Sequence, residues 1–318
     1  MDLNKAILYA QLVGEAYRPD PGDLKNRAGD VVSAGLGTAE TQFDVITTIY
    51  ANDLATEANP GRKACQVSIG LILQARDSGE AVIAFRGTEG IKEWVLDANF
   101  QTIPCPFLAS AGETEDGFTD MYQSVTTGTA AGAPKLVESL PGLGWKEPPV
   151  EAMTVCGHSL GGALATLATL DIAVNASEPY HNVSSYTFAS PRTGNAQFVS
   201  KYDQLVANTY RVANELDVVP RLPLFPPFPP YQHVMGEFDL KPYTVLPPKF
   251  LLQPNPYCEH ILTSYLFLLS HCAGGQILPL EALCGPLLSF SALMSDVEAK
   301  WSDIGALKRE FAATDGLV

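Results

Sequence analysis

Apolar residues recur at helical spacing over residues 4–17, where Ile7, Leu8, Leu12, Val13 and Ala16 share a face, and the pattern predicts an opening amphipathic helix. The period then shortens. Residues 67–74 and 81–85 are apolar, β-branched runs separated by Arg76-Asp77-Ser78-Gly79-Glu80, which reads as two strands joined by a short turn. Further on, 150–156, 185–189 and 208–213 are strand-like, and the intervals between them carry helix-like segments such as 160–174. Alternation of this kind predicts an α/β protein with a mostly parallel central sheet flanked by helices. Two stretches break the rhythm. Residues 102–117, rich in Pro, Ser, Gly, Thr and acidic side chains, read as a surface loop. Residues 220–256 carry Phe225, Tyr231, Phe238, Tyr243 and Phe250 among many prolines, including the run Pro226-Pro227-Phe228-Pro229-Pro230, which excludes regular helix and central strand. With no internal repeat and no sharp change in composition, the expected organisation is one domain over 1–318, with a Pro- and aromatic-rich insertion at 221–256.

Composition narrows the partners. A chain of 318 residues, 46% hydrophobic, can bury a core without a disulfide scaffold. Its 35 acidic and 20 basic side chains leave a formal charge of −15, which repels phosphate backbones and anionic bilayer surfaces and argues against nucleic acid as a partner. The opening Met1-Asp2-Leu3-Asn4-Lys5 lacks the basic start and apolar core of a signal peptide, the pattern of a cytoplasmic chain or a mature secreted form. The longest apolar stretches, near 265–269 and 287–293, fall well short of the roughly 18 residues a membrane span needs, so no transmembrane segment is expected. The six cysteines are thinly spread, with no CxxC or Cys/His cluster to suggest a metal, and read as buried thiols. Cys258 and Cys272, if joined by helix, would stand roughly 21 Å apart and should not pair.

The chemistry is concentrated at Gly157-His158-Ser159-Leu160-Gly161, which fits G-x-S-x-G. The motif follows the apolar run Met153-Thr154-Val155-Cys156 and opens the small, apolar run from Gly162 to Ala168, which predicts strand, sharp turn and buried helix. Such a turn exposes a serine, and the helix start beside it offers free N–H groups and a positive dipole end. A serine hydroxyl becomes a strong nucleophile only when a base takes its proton, so a histidine must reach it and an acid must orient that histidine. The chain order Ser, acid, His of α/β-hydrolases leaves three of the five histidines, His233, His260 and His271. His260 lies in the polar lead-in Asn255-Pro256-Tyr257-Cys258-Glu259, where it can project from a loop, whereas His271 lies further along the following helix-like run. Asp217, in a loop position after the strand-like Tyr210-Arg211-Val212-Ala213, is the candidate acid and Glu215 its nearest rival.

Separated motifs add a resemblance. Val82-Ile83-Ala84-Phe85-Arg86-Gly87-Thr88 with Trp94 and Asp97, then Asp116-Gly117-Phe118, the stretch Gly157 to Gly162, Ser190-Pro191-Arg192-Thr193-Gly194-Asn195, and Asp217-Val218-Val219-Pro220-Arg221-Leu222-Pro223 follow one another between about 81 and 265. In that order they resemble the class 3 lipase family, the fungal-lipase-like branch of the α/β-hydrolase fold. The resemblance implies Ser159 as nucleophile, Asp217 as orienting acid and His260 as base, because family members place that histidine just before a helix, with Tyr265-Leu266 following. It aligns His233 with a neighbouring, non-catalytic position. It also implies an oxyanion hole from the backbone N–H groups of Thr88 and Leu160, braced by the Thr88 hydroxyl. No cofactor and no metal are expected. Residues before 69 and after 269 match no motif.

The implied activity is hydrolysis of carboxylic esters through an acyl-enzyme, of the triacylglycerol lipase or esterase type, with transient contact to a lipid interface. Ile91, Trp94 and Val95, spaced three and four apart, would form the apolar face of a lid helix, or Trp94 would anchor a fixed one. Phe225 and Phe228 would wall an acyl-chain groove, or lie on a polyproline surface arm. A phospholipase or feruloyl-type esterase would share this machinery. A lipase-like binding or signalling protein without turnover is the reading from another class.

Overall fold

The computed structural model describes residues 1–18, 22–35, 40–52, 65–88, 100–223, 230–244 and 256–274. Its elements run α1 (Leu3–Tyr17), β1 (Val31–Ala34), β2 (Thr41–Asn52), β3 (Gln66–Ala75), β4 (Ala81–Phe85), β5 (Thr102–Pro104), β6 (Glu113–Glu115), α2 (Asp116–Ser124) and α3 (Leu136–Ser139). There follow β7 (Met153–His158), α4 (Leu160–Asn175), β8 (Val183–Phe188), β9 (Gly194–Asn195), α5 (Ala196–Leu205), β10 (Thr209–Asn214), β11 (Tyr231–Gln232), β12 (Glu237–Leu240), α6 (Pro256–His260) and α7 (Leu262–Cys272).

The alternating apolar runs build a sheet in the order β1-β2-β3-β4-β7-β8-β10-β12. The β3–β4 hairpin expected from the sequence is present, and β1 to β4 pair antiparallel throughout. From β4 onward every pairing is parallel. The register sets Phe85 beside Gly157, Gly157 beside Thr187 and Thr187 beside Arg211, so β4, β7 and β8 finish within one residue of one another at their carboxyl ends and β10 runs on to Asn214, three residues past Arg211. The loops that follow β4, β7 and β10 therefore leave the sheet side by side, where ligands bind in open α/β sheets.

Successive strand residues face opposite layers. Ile83 and Phe85 join Val155, Leu164 and Leu167 on one face, while Val82 and Ala84 join Ile7, Leu12 and Tyr265 on the other. Helix α4 is buried nearly all round, and Ala163, Ala165 and Ala168 let it lie close to the sheet. Helix α1 is amphipathic, capped at Asp2 by a hydrogen bond from the Asn4 N–H at 2.9 Å, and packs with α7 on the opposite layer.

Two expectations differ from the structure. Residues 102–117 are not loop throughout: β5 and β6 pair there and α2 begins at Asp116. Strands of three residues are too short to show an alternating pattern; β5 and β6 pair with each other, and β6 also pairs with β9, which is distant in sequence, in the second sheet, of order β11-β9-β6-β5. The Pro-rich insertion, as expected, holds no central strand among its described residues: β11 and β12 are edge strands, the latter free of proline, while residues 224–229 and 245–255 lie outside the described residues. His260 ends a short helix rather than a loop, α6 being separated from α7 by the extended residue Ile261.

The cysteine reading is also adjusted. Cys105 and Cys156 are buried free thiols, but Cys65 and Cys272 are free and exposed, and Cys258 is disulfide-bonded. Cys258 and Cys272 are not paired with each other.

Candidate active site

Ser159 sits between β7 and α4 at φ 58° and ψ −127°, a backbone conformation that an L side chain rarely adopts. Its neighbours make the turn feasible. A Cβ on Gly157 would overlap the Gly161 carbonyl, and one on Gly161 would collide with the Phe85 and Arg86 carbonyl oxygens. The first turn of α4 thus presses onto the end of β4. On the other side, a Cβ on Gly87 would fall 2.6 Å from the Tyr17 hydroxyl, 2.8 Å from the His158 carbonyl oxygen and 2.9 Å from Ser159 Cβ. The chain leading into Thr88 therefore runs against the nucleophile candidate, and Leu160, first residue of α4, has an N–H with no helical acceptor of its own.

Three side chains from separate elements meet here. The Ser159 Oγ lies 2.8 Å from His260 Nε2, and His260 Nδ1 lies 2.8 Å from Asp217 Oδ2. A carboxylate oxygen only accepts, so Nδ1 carries the ring proton and Nε2 presents a lone pair to the serine hydroxyl. Asp217 rather than Glu215 makes this contact. The turn after β10 positions it: the Asp217 N–H donates to the Asn214 carbonyl and the Val219 N–H donates back to Asp217 Oδ1, each at 2.9 Å. Ser159 keeps 1% of its exposure, Asp217 1% and His260 4%, so the set is closed to bulk water.

A surrounding set of polar groups holds these three. The Tyr265 hydroxyl donates to Asp217 Oδ2 at 2.8 Å and accepts the Asn214 N–H at 3.1 Å. Burial first, then the Asp217 charge, pushes the Tyr265 phenol well up, so it stays a donor. The Asn214 amide donates to the Glu259 carbonyl at 2.8 Å, tying β10 to α6 one residue before His260. His158 Nε2 lies 2.7 Å from the carbonyl oxygen of His260 itself, and its Nδ1 lies 2.8 Å from the Tyr17 hydroxyl.

The remaining histidines are elsewhere. His233 Nε2 donates to the Pro220 carbonyl at 2.5 Å, and burial followed by the charge of Arg211 pushes its pKa down to about 3, so it is a neutral brace for the Asp217 loop. Arg192 supports the same loop through the Pro223 carbonyl at 2.9 Å. His271 is exposed and stacks on Phe267, and His181 pairs with Glu178 on the surface. Thr88 is half-buried at the end of the described segment, and Ile91, Trp94, Val95, Phe225 and Phe228 lie outside the described residues. A cavity of about 540 Å³ lined by Phe107, Tyr122, Leu136, Val137 and Asp171 contains none of Ser159, Asp217 and His260.

Sequence reasoning misses Tyr17, Asn214 and the structural use of His158. The pattern of α1 shows only packing residues, because a tyrosine ending an amphipathic helix has no distinguishing signal. Chain order sets His158 aside as a base and is silent about it as a support.

The model of the family described as Lipase (class 3) matches residues 82–226. The secreted mono- and diacylglycerol lipase A of Penicillium cyclopium is 33% identical over 238 residues, covering 74% of this chain and 70% of that protein. Phospholipase A1-II 6 of Oryza sativa subsp. japonica is 31% identical over 276 residues, covering 78% of this chain but only 64% of its own length. Among solved structures, a mutant of MDLA from Penicillium cyclopium superposes with a TM-score of 0.54 at 23% identity, over 75% of this chain and 80% of that one. A Rhizomucor miehei lipase propeptide complex gives 0.50 at 21% identity, over 76% and 68%. The shared architecture is the α/β-hydrolase fold.

Proposed function

The chain belongs to the class 3 lipase family, and from that premise we propose that it is a serine carboxylic ester hydrolase acting on neutral acylglycerols and simpler esters. The observation that carries the reading is the line of 2.8 Å contacts from Ser159 Oγ to His260 Nε2 and from His260 Nδ1 to Asp217 Oδ2. His260 takes the hydroxyl proton as Ser159 attacks the ester carbonyl, and Asp217 stabilises the imidazolium so formed. The tetrahedral oxyanion is met by the backbone N–H groups of Thr88 and Leu160, donors fixed before the charge develops. Collapse expels the alcohol with the proton from His260. Water, deprotonated by the same ring, then releases the carboxylic acid and restores Ser159.

Substrate class follows from charge and closure. The rice relative is a phospholipase A1 by name and the Penicillium relative a mono- and diacylglycerol lipase. A formal charge of −15 disfavours approach to anionic phospholipid surfaces and leaves neutral acylglycerol interfaces as the favoured target. Because Ser159 and His260 are nearly fully covered, an acyl group reaches the serine only after local opening, which contact with a lipid interface would favour. The test is hydrolysis of p-nitrophenyl esters from C2 to C16, a diacylglycerol emulsion and phosphatidylcholine vesicles, each by wild type and Ser159→Ala. Turnover by wild type alone supports the reading, and the preferred substrate separates lipase, esterase and phospholipase. A wild type inert on every ester overturns it.

A further inference from the structure

The hydrogen-bond directions around His158 follow from chemistry alone. His158 Nε2 faces the His260 carbonyl oxygen, which can only accept, so Nε2 carries the proton. Burial first, and then the proximity of His260, holds the His158 pKa well below the usual value, so the ring is neutral and Nδ1 is an acceptor. The Tyr17 hydroxyl, 2.8 Å from Nδ1, must therefore donate to it, while its oxygen accepts the Gly87 N–H at 2.8 Å. A one-way chain results: Gly87 N–H to Tyr17 O, Tyr17 O–H to His158 Nδ1, His158 Nε2–H to the His260 carbonyl.

Its two ends lie at the reacting groups. Gly87 immediately precedes Thr88, the proposed oxyanion donor, and the absence of a Cβ on Gly87 is what admits the Tyr17 hydroxyl. His260 is the proposed base, and its ring lies 4.9 Å from that of His158, centroid to centroid. His158 does not compete for the serine, since both its nitrogens are already engaged.

We infer that Tyr17 and His158 are positioning residues of the hydrolase reaction, a buried link from α1 that fixes the oxyanion-loop backbone and the His260 backbone relative to each other. This rests on the ester-hydrolase reading. The link joins groups distant in sequence, and a displacement of a reacting group by 1 Å can cost about a hundredfold in rate. It also explains why a helix with no reacting side chain ends against the site.

The experiment compares wild type, Tyr17→Phe, His158→Gln and His158→Leu on a soluble short-chain p-nitrophenyl ester, with rates expressed per active site titrated by an organophosphorus ester. Tyr17→Phe removes only the hydroxyl. Its kcat is expected to fall by about tenfold to a hundredfold while KM stays within about twofold, the signature of lost alignment rather than lost binding. His158→Gln, which keeps an N–H within reach of the His260 carbonyl, should retain more kcat than His158→Leu. Merely structural damage would lower the titratable fraction and leave kcat per site unchanged, and that result in Tyr17→Phe overturns the inference. So does equal kcat for the Gln and Leu variants. A nitrogen NMR spectrum reads the link without turnover: His158 should show a single Nε2–H tautomer in wild type and keep it in Tyr17→Phe, where the Nδ1 resonance alone shifts to that of an acceptor without a donor; a mixed tautomer in wild type, or an Nδ1 resonance unmoved in Tyr17→Phe, counts against the link. Wild type inert on every ester would instead sink the hydrolase reading, whatever the spectrum shows.

Discussion

Tyr265 illustrates how much one hydroxyl can hold. It donates to Asp217 and accepts from the buried Asn214 N–H, so Tyr265→Phe removes one of the three donors on Asp217 and leaves the backbone group unpaired. Leaving a buried donor unsatisfied costs about 1–3 kcal/mol, and denaturant unfolding should show a loss of that size together with a lower kcat. Unchanged stability would mean that the Asn214 N–H finds another partner. Glu115 gives a prediction with a definite sign. It caps α2 by accepting the Phe118 N–H at 2.6 Å, yet burial outweighs that bond and raises its pKa from 4.5 to about 7. The folded state thus binds its proton more tightly than the unfolded state does. Its contribution is fully present below pH 4.5 and is lost as the pH rises through about 7. Glu115→Gln keeps an acceptor for the cap and cannot ionise. Between about pH 5 and 8 the variant's unfolding free energy should gain on wild type by up to about 3 kcal/mol, and parallel pH profiles would refute this.

Elements differ in how plainly the sequence announces them. The step from β7 through Ser159 to α4 was legible because every constraint left a residue type behind: apolar strand positions, glycines where backbones touch, and a run of small residues where a helix is buried on all sides. Gly161 states that constraint most sharply. An alanine there must displace the Phe85 and Arg86 carbonyls, and Gly161→Ala should lower stability by about 3 kcal/mol or more, or prevent soluble expression. A variant with wild-type melting temperature would show that α4 can shift away from β4. Strands β5 and β6 were not legible, since three residues carry no period. Nor was the contribution of α1, whose sequence shows only the face that packs. The position of Tyr17 against Gly87 and His158 is a property of the assembled layers.

Across the whole molecule, the parallel register that brings the carboxyl ends of β4, β7, β8 and β10 to the same edge of the sheet turns distant segments into one site. The motif pointed to Ser159, but chain order left three histidines and two acids, Asp217 and Glu215, open, because order constrains which residues come last but not which one the loops bring inward. The same scale governs how substrate is met. No helix among the described residues is long and apolar enough to cross a membrane. Under the proposed function, an acidic protein of pI near 4.7 meets a lipid interface. Electrostatic repulsion then discriminates between interfaces carrying the same ester. Mixed emulsions of one diacylglycerol, made either with a zwitterionic or with an anionic amphiphile, should be hydrolysed faster in the zwitterionic form at low salt. Because the Debye length contracts from about 30 Å at 0.01 M to about 3 Å at 1 M, the gap should close as salt is added. Equal rates on the two surfaces at low ionic strength would show that the charge lies away from the face that meets lipid. A gap that persists at 1 M salt would assign the preference to contacts at the interface rather than to long-range charge.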